Sequence, residues 1–171
     1  FERKFLRDFP FNGPYPVAYK SDSDVAKEAL LYTHRMSQVQ RWLYSDEPDL
    51  SYSLYAYPAK MLSAVIINEA ELAMIMPQLR ESCEKIARSC AKFLISLSKK
   101  DGEPLAFFPP TYYSDLIASG SAENAGKTMT LDATRAADAY LTLYLLTNDE
   151  QYLEYAKGIA KTYATLLAED G

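Results

Sequence analysis

Histidine occurs once in the chain, at His34, and tryptophan once, at Trp42; cysteine occurs twice, at Cys83 and Cys90. One histidine excludes multi-histidine metal sites. A Ser-His-Asp triad would have to use His34, which lies off the main apolar stripe of its helix. No zinc-ligand spacing and no nucleophile elbow occur. The cysteines stand seven positions apart. On one helix that is about 10 Å of rise, too far for a disulfide, so both are expected to be small core residues. Net charge is −5 and no basic cluster exceeds Lys99-Lys100, which argues against a nucleic-acid partner. No apolar run has the length of a membrane span; the most apolar stretch, MLSAVIINEAELAMIM, carries Asn68, Glu69 and Glu71. "AGKT" (125–128) resembles the end of a phosphate-binding loop. The glycine such a loop requires is replaced by Ser121, and no strand precedes it. No cofactor, no metal and no membrane contact are therefore expected.

What the chain does have is aromatic and apolar residues at helical spacing. Fourteen tyrosines and seven phenylalanines contribute to an apolar fraction of 49%. Residues 1–22 are rich in proline and aromatics and are expected to form an extended arm. From Ser21 or Ser23, either able to cap a helix, Val25, Ala29, Tyr32, Met36, Val39 and Leu43 recur at spacings of three and four. That stripe predicts one helix over 23–44. Helices are further predicted over 58–75, 78–99, 130–146 and 149–168, with Pro77 in a first turn and Gly102 available as a left-handed cap. In the break "TND", Asn148 can sit left-handed and Asp149 can cap. No period-two strand is found, and the chain reads as all-α, with residues 23–171 forming one helical domain.

The chain also repeats itself. At an offset of 69, Leu62 aligns with Leu131, Ala70 with Ala139, Leu72 with Leu141, Ala87 with Ala156, Ala91 with Ala160, Leu97 with Leu166 and Asp101-Gly102 with Asp170-Gly171. In each unit the first helix is apolar nearly all round and the second has one stripe and one charged face. An inner and an outer helix are implied, hence a two-layer array of antiparallel helical hairpins.

These residues carry a resemblance. Leu143-Tyr144, Thr147-Asn148-Asp149, Tyr152-Leu153, Ala156, Ala160 and Asp170-Gly171 resemble the hairpin of the six-hairpin glycosidase-like (α/α)6 toroids, with Asn148 where that family often has glycine. The resemblance is good over 129–171 and weaker over 58–102. It implies part of a toroid, an incomplete one completed by further helices. It also implies a carbohydrate-active protein, a glycoside hydrolase or polysaccharide lyase taking an oligosaccharide or polysaccharide, and it slightly favours a periplasmic or extracellular location. The alternative is a tetratricopeptide-like binding module without catalysis, since 69 is close to twice that repeat's length of about 34. No Trp-Leu-Gly-Tyr pattern recurs at half the offset. A terpenoid-cyclase-like toroid would need an Asp-rich metal motif that is absent.

Turns from inner to outer helices are short, whereas the loops from outer to inner helices, 45–57 and 101–128, are long. Long loops on one face of a rigid scaffold are where function concentrates. They hold the expected substrate-binding rings Tyr52, Tyr55, Tyr57, Phe108, Tyr112 and Tyr113, which can stack on the C–H faces of sugars. Asp49, Asp115 and Asp132 are the candidate catalytic acids, and Arg135 is a candidate substrate ligand. Glu69 and Asp138 occupy equivalent repeat positions. They are expected either to be satisfied locally, Asp138 by Arg135 and Glu69 by hydrogen bonds, or to line a central channel as acid or base.

Overall fold

The computed structural model describes residues 22–49, 51–112, 124 and 127–167. The expected arm over 1–22, together with Tyr113, Asp115 and the closing Asp170-Gly171, falls wholly or almost wholly outside them. Among the described residues the fold is all-α and contains no strand. Helices α1 (Asp22–His34) and α2 (Ser37–Gln40) come first, and 3-10 turns follow at Arg41–Leu43 and Ser53–Ala56. Helix α3 (Pro58–Ile75) and helix α4 (Arg80–Leu97) form one hairpin, joined through a 3-10 turn at Pro77–Leu79. Helices α5 (Thr130–Thr147) and α6 (Glu150–Leu166) form the second.

Local chemistry explains most of these boundaries. Pro58 opens α3, where its missing N–H has no partner to lose. Asn148 ends α5 in the left-handed conformation, φ 53° and ψ 24°, and Asp149 caps α6 by accepting from the Gln151 N–H. Both residues take the roles expected of them. Helix α4 stops earlier than the sequence suggested: Ser98 is extended and its hydroxyl donates to the Leu94 carbonyl. Gly102, at φ +82°, serves the turn beyond.

The helix expected over 23–44 is interrupted. Met36 is extended, at φ −64° and ψ 135°, and splits it into α1, α2 and a 3-10 turn. Two interactions hold the break. The Gln40 side chain donates to the His34 carbonyl at 2.6 Å, taking the place of a helical N–H. The Met36 carbonyl in turn accepts from the N–H groups of Val39 and Gln40, restarting the helix.

Helix α3 is the centre of the array. It packs on α4, on α5 and on α1, while α5 packs chiefly on α3 and α6 and touches α4 only lightly. The two inner helices thus lie against each other, each backed by its own outer helix. Alanines 59, 70, 73, 87, 91, 133, 136 and 139 are essentially inaccessible and let the backbones approach closely. Leu62, Ile66, Leu72, Ile86, Leu94, Leu143 and Ile159 fill the remaining space, each contributing about 1.5–3 kcal/mol by burial. Helix α5 is not enclosed all round, contrary to its composition. Leu131, Leu141 and Leu145 form an exposed stripe with Asp138 between them.

Candidate functional site

The long loops converge on the N-terminal ends of α3 and α5. There Tyr57, Lys60, Thr111, Tyr112, Met129, Leu131, Asp132 and Arg135 line a cleft of about 280 Å³. Four residues singled out from the sequence meet in it: Tyr57, Tyr112, Asp132 and Arg135. Tyr57 directly precedes the proline that starts α3, and Lys60 is in that helix's first turn. Asp132 and Arg135 are one helical step apart at the start of α5, so both side chains face the cleft.

Asp132 is buried and held in place. The Thr111 hydroxyl donates to its Oδ2 at 2.7 Å, and the same hydroxyl accepts from the Met129 N–H at 2.7 Å. Thr111 is itself anchored by its N–H to the Lys127 carbonyl at 2.9 Å. The rings of Tyr57 and Tyr112 meet edge to face, centroids 5.5 Å apart at 61°. Among the described residues lining the cleft, Lys60 and Arg135 stand with two helix N-termini against one carboxylate, Asp132, an arrangement that favours an anionic ligand. Two phenol rings give it an apolar wall with polar tips.

The other expected residues lie elsewhere. Tyr55 is buried in the core, where its hydroxyl accepts from Trp42 Nε1 and donates to the Gln38 carbonyl, both at 2.9 Å. Tyr52 stands against the Tyr55 ring, 5.3 Å between centroids. Phe108 is buried and tilted against Tyr163. Asp49 closes a turn: its Oδ1 accepts from the Ser51 N–H at 3.0 Å and the Ser51 hydroxyl at 2.7 Å, which hold its carboxyl below the usual carboxylate range. It does not line the cleft. Asp115 and Tyr113 are outside the described residues. Asp138 is exposed and forms no ion pair with Arg135.

A second constellation escaped the sequence reading. His34, at the end of α1, places Nδ1 2.6 Å from Glu69 Oε2 of α3 and 3.7 Å from Cys83 Sγ of α4. All three residues are buried. Asn68 orients the carboxylate by donating to Oε1 at 3.1 Å and to the Leu30 carbonyl at 3.2 Å. Glu69 is therefore satisfied by hydrogen bonds. Burial, with the Glu69 charge beside it, pushes the Cys83 thiol up to about 12. Three residues from three helices leave no spacing motif; the only sequence signal was a lone histidine off its helix's stripe and a glutamate in an apolar helix.

Compared with known proteins, the chain matches no family model, no curated protein and no solved structure.

Proposed function

We propose that the cleft between the N-termini of α3 and α5 binds an acidic, uronate-containing oligosaccharide, and that the chain is the substrate-binding part of a carbohydrate-active (α/α) toroid. The observation that carries this reading is the meeting of Tyr57, Tyr112, Lys60, Asp132 and Arg135 in one cleft. The phenol rings offer stacking faces to a pyranose. Arg135 and Lys60 take the uronate carboxylate, and the Asp132 oxygen that Thr111 does not hold is left for the sugar. The exposed stripe on α5 is where a further inner helix of a toroid would lie.

Of the two reactions open to such a site, elimination can be written with the described residues alone: one carboxylate, one guanidinium and two phenols. In the elimination, Arg135 neutralises the uronate carboxylate and so acidifies the adjacent C5–H. Asp132 takes that proton, the electron pair forms the C4–C5 double bond, and the C4–O bond breaks. The departing oxygen takes a proton from the phenol of Tyr57 or Tyr112.

Isothermal titration with an oligouronide and with a neutral oligosaccharide of the same length tests the reading. The oligouronide should bind and the neutral sugar should bind far more weakly. Arg135→Ala should weaken the acidic ligand about tenfold or more, as expected for losing a charge-assisted hydrogen bond. Equal affinity for both sugars, or an unchanged Arg135→Ala, would reject it.

A further inference from the structure

We propose that His34, Glu69 and Cys83 form a zinc-class metal site that clamps α1 onto the α3–α4 hairpin. Their candidate ligand atoms all lie within 4.8 Å of one another and come from three separate helices. One imidazole nitrogen, one carboxylate oxygen and one sulfur are the donors that zinc accepts, at about 2.0–2.3 Å each. Around a tetrahedral ion such donors stand roughly 3.3–3.6 Å apart. The observed Nδ1 to Sγ separation of 3.7 Å already fits. The Nδ1 to Oε2 distance of 2.6 Å has to open by roughly 0.7 Å, given those bond lengths.

Charge balance points the same way. A thiolate and a carboxylate together cancel a divalent ion, so the loaded site is neutral and suits a buried location, where an unbalanced charge is costly. The surroundings resemble those of metal ligands as well. Asn68 fixes one carboxylate oxygen and leaves the other facing His34, as groups behind metal ligands commonly do. A catalytic triad is the weaker reading, because Glu69 and Cys83 both approach the same ring nitrogen instead of opposite ones. The fourth position is left to water or a backbone oxygen. The role inferred is structural, since Glu69 and Cys83 are fully inaccessible and His34 nearly so.

The test is cobalt(II) and zinc(II) loading of the full chain, with the metal present during refolding because the site is enclosed. One equivalent of cobalt should bind and give a thiolate-to-cobalt charge-transfer band. Zinc should displace it and raise the thermal midpoint. The band should vanish in Cys83→Ser and persist in Cys90→Ser, whose thiol lies outside the cluster. Should Cys83→Ser fail to fold, the zinc X-ray absorption spectrum of the unsubstituted protein decides: a single sulfur among nitrogen and oxygen neighbours supports the site. Absence of stoichiometric binding, a band that survives Cys83→Ser, or a sulfur-free zinc environment would overturn it.

Discussion

Asp149 does two things with one carboxylate. One oxygen caps α6 through the Gln151 N–H, and the other takes Arg88 Nη1 at 2.8 Å. Arg88 first, then the Gln151 N–H, hold its carboxyl below the ordinary 3.8. The stability this contributes is complete above that value and is lost as pH falls through the lower folded value. Asp149→Asn keeps a capping oxygen and removes the charge. It should cost about 0.5–1 kcal/mol at pH 7, the scale of a partly exposed ion pair. Urea midpoints of the two proteins should converge as pH drops below 3.8. A gap that persists in acid would show that packing, not charge, is responsible. Gly158 shows a different constraint. A Cβ there would stand 2.5 Å from Cγ of Phe107, whose ring lies against Tyr155 and whose own φ is +67°. Gly158→Ala should therefore destabilise by about 1–3 kcal/mol, despite the roughly 1 kcal/mol that alanine normally gains in a helix. Adding Phe107→Ala should recover part of the loss.

The segment between α1 and α3 is held by side chains as well as by backbone turns. Trp42 Nε1 donates to the Tyr55 hydroxyl, which donates onward to the Gln38 carbonyl, and all three groups are buried or half-buried. Tyr55→Phe removes the hydroxyl and leaves the indole N–H unpaired. The expected cost is about 1–3 kcal/mol, read from the denaturant midpoint. A loss below about 0.5 kcal/mol would mean the N–H finds another partner. This segment also shows what a sequence can and cannot reveal. Pro58, Asn148 and Asp149 were legible because each acts on its own neighbours in the chain. The break at Met36 was not, because the stripe of Val25, Ala29, Tyr32, Met36, Val39 and Leu43 continues through it. The interactions that hold it are the Gln40 side chain on the His34 carbonyl and the Val39 and Gln40 N–H groups on the Met36 carbonyl, and neither has a periodic signature. The cleft was half legible for the same reason. Long loops on one face announced it, and Tyr57, Tyr112, Asp132 and Arg135 meet there. Yet nothing local distinguished these from Tyr55 and Phe108, which the fold buries instead.

At the scale of the whole described fold, two inner helices lie side by side and bring their N-terminal ends to one cleft. Three consequences share that geometry. The N-terminal dipoles of α3 and α5 and the cations Lys60 and Arg135 all favour an anion at one place. The aromatic pair Tyr57–Tyr112 shapes that place for a ring. The Thr111 hydroxyl fixes Asp132 before any ligand arrives, so binding need not order it. Thr111→Val should leave the fold intact but free Asp132 to turn. Oligouronide affinity should then fall several-fold, and the thermal midpoint should drop as well, because the Met129 N–H and the buried carboxylate each lose a partner. The claim that this cleft is the ligand site is tested most directly by nuclear magnetic resonance titration of isotopically labelled protein with an oligouronide. The account predicts saturable shifts confined to Tyr57, Lys60, Thr111, Tyr112, Met129, Asp132 and Arg135 and their neighbours. Saturable shifts centred on Asp49 and Tyr52 instead, or none at millimolar ligand, would contradict it.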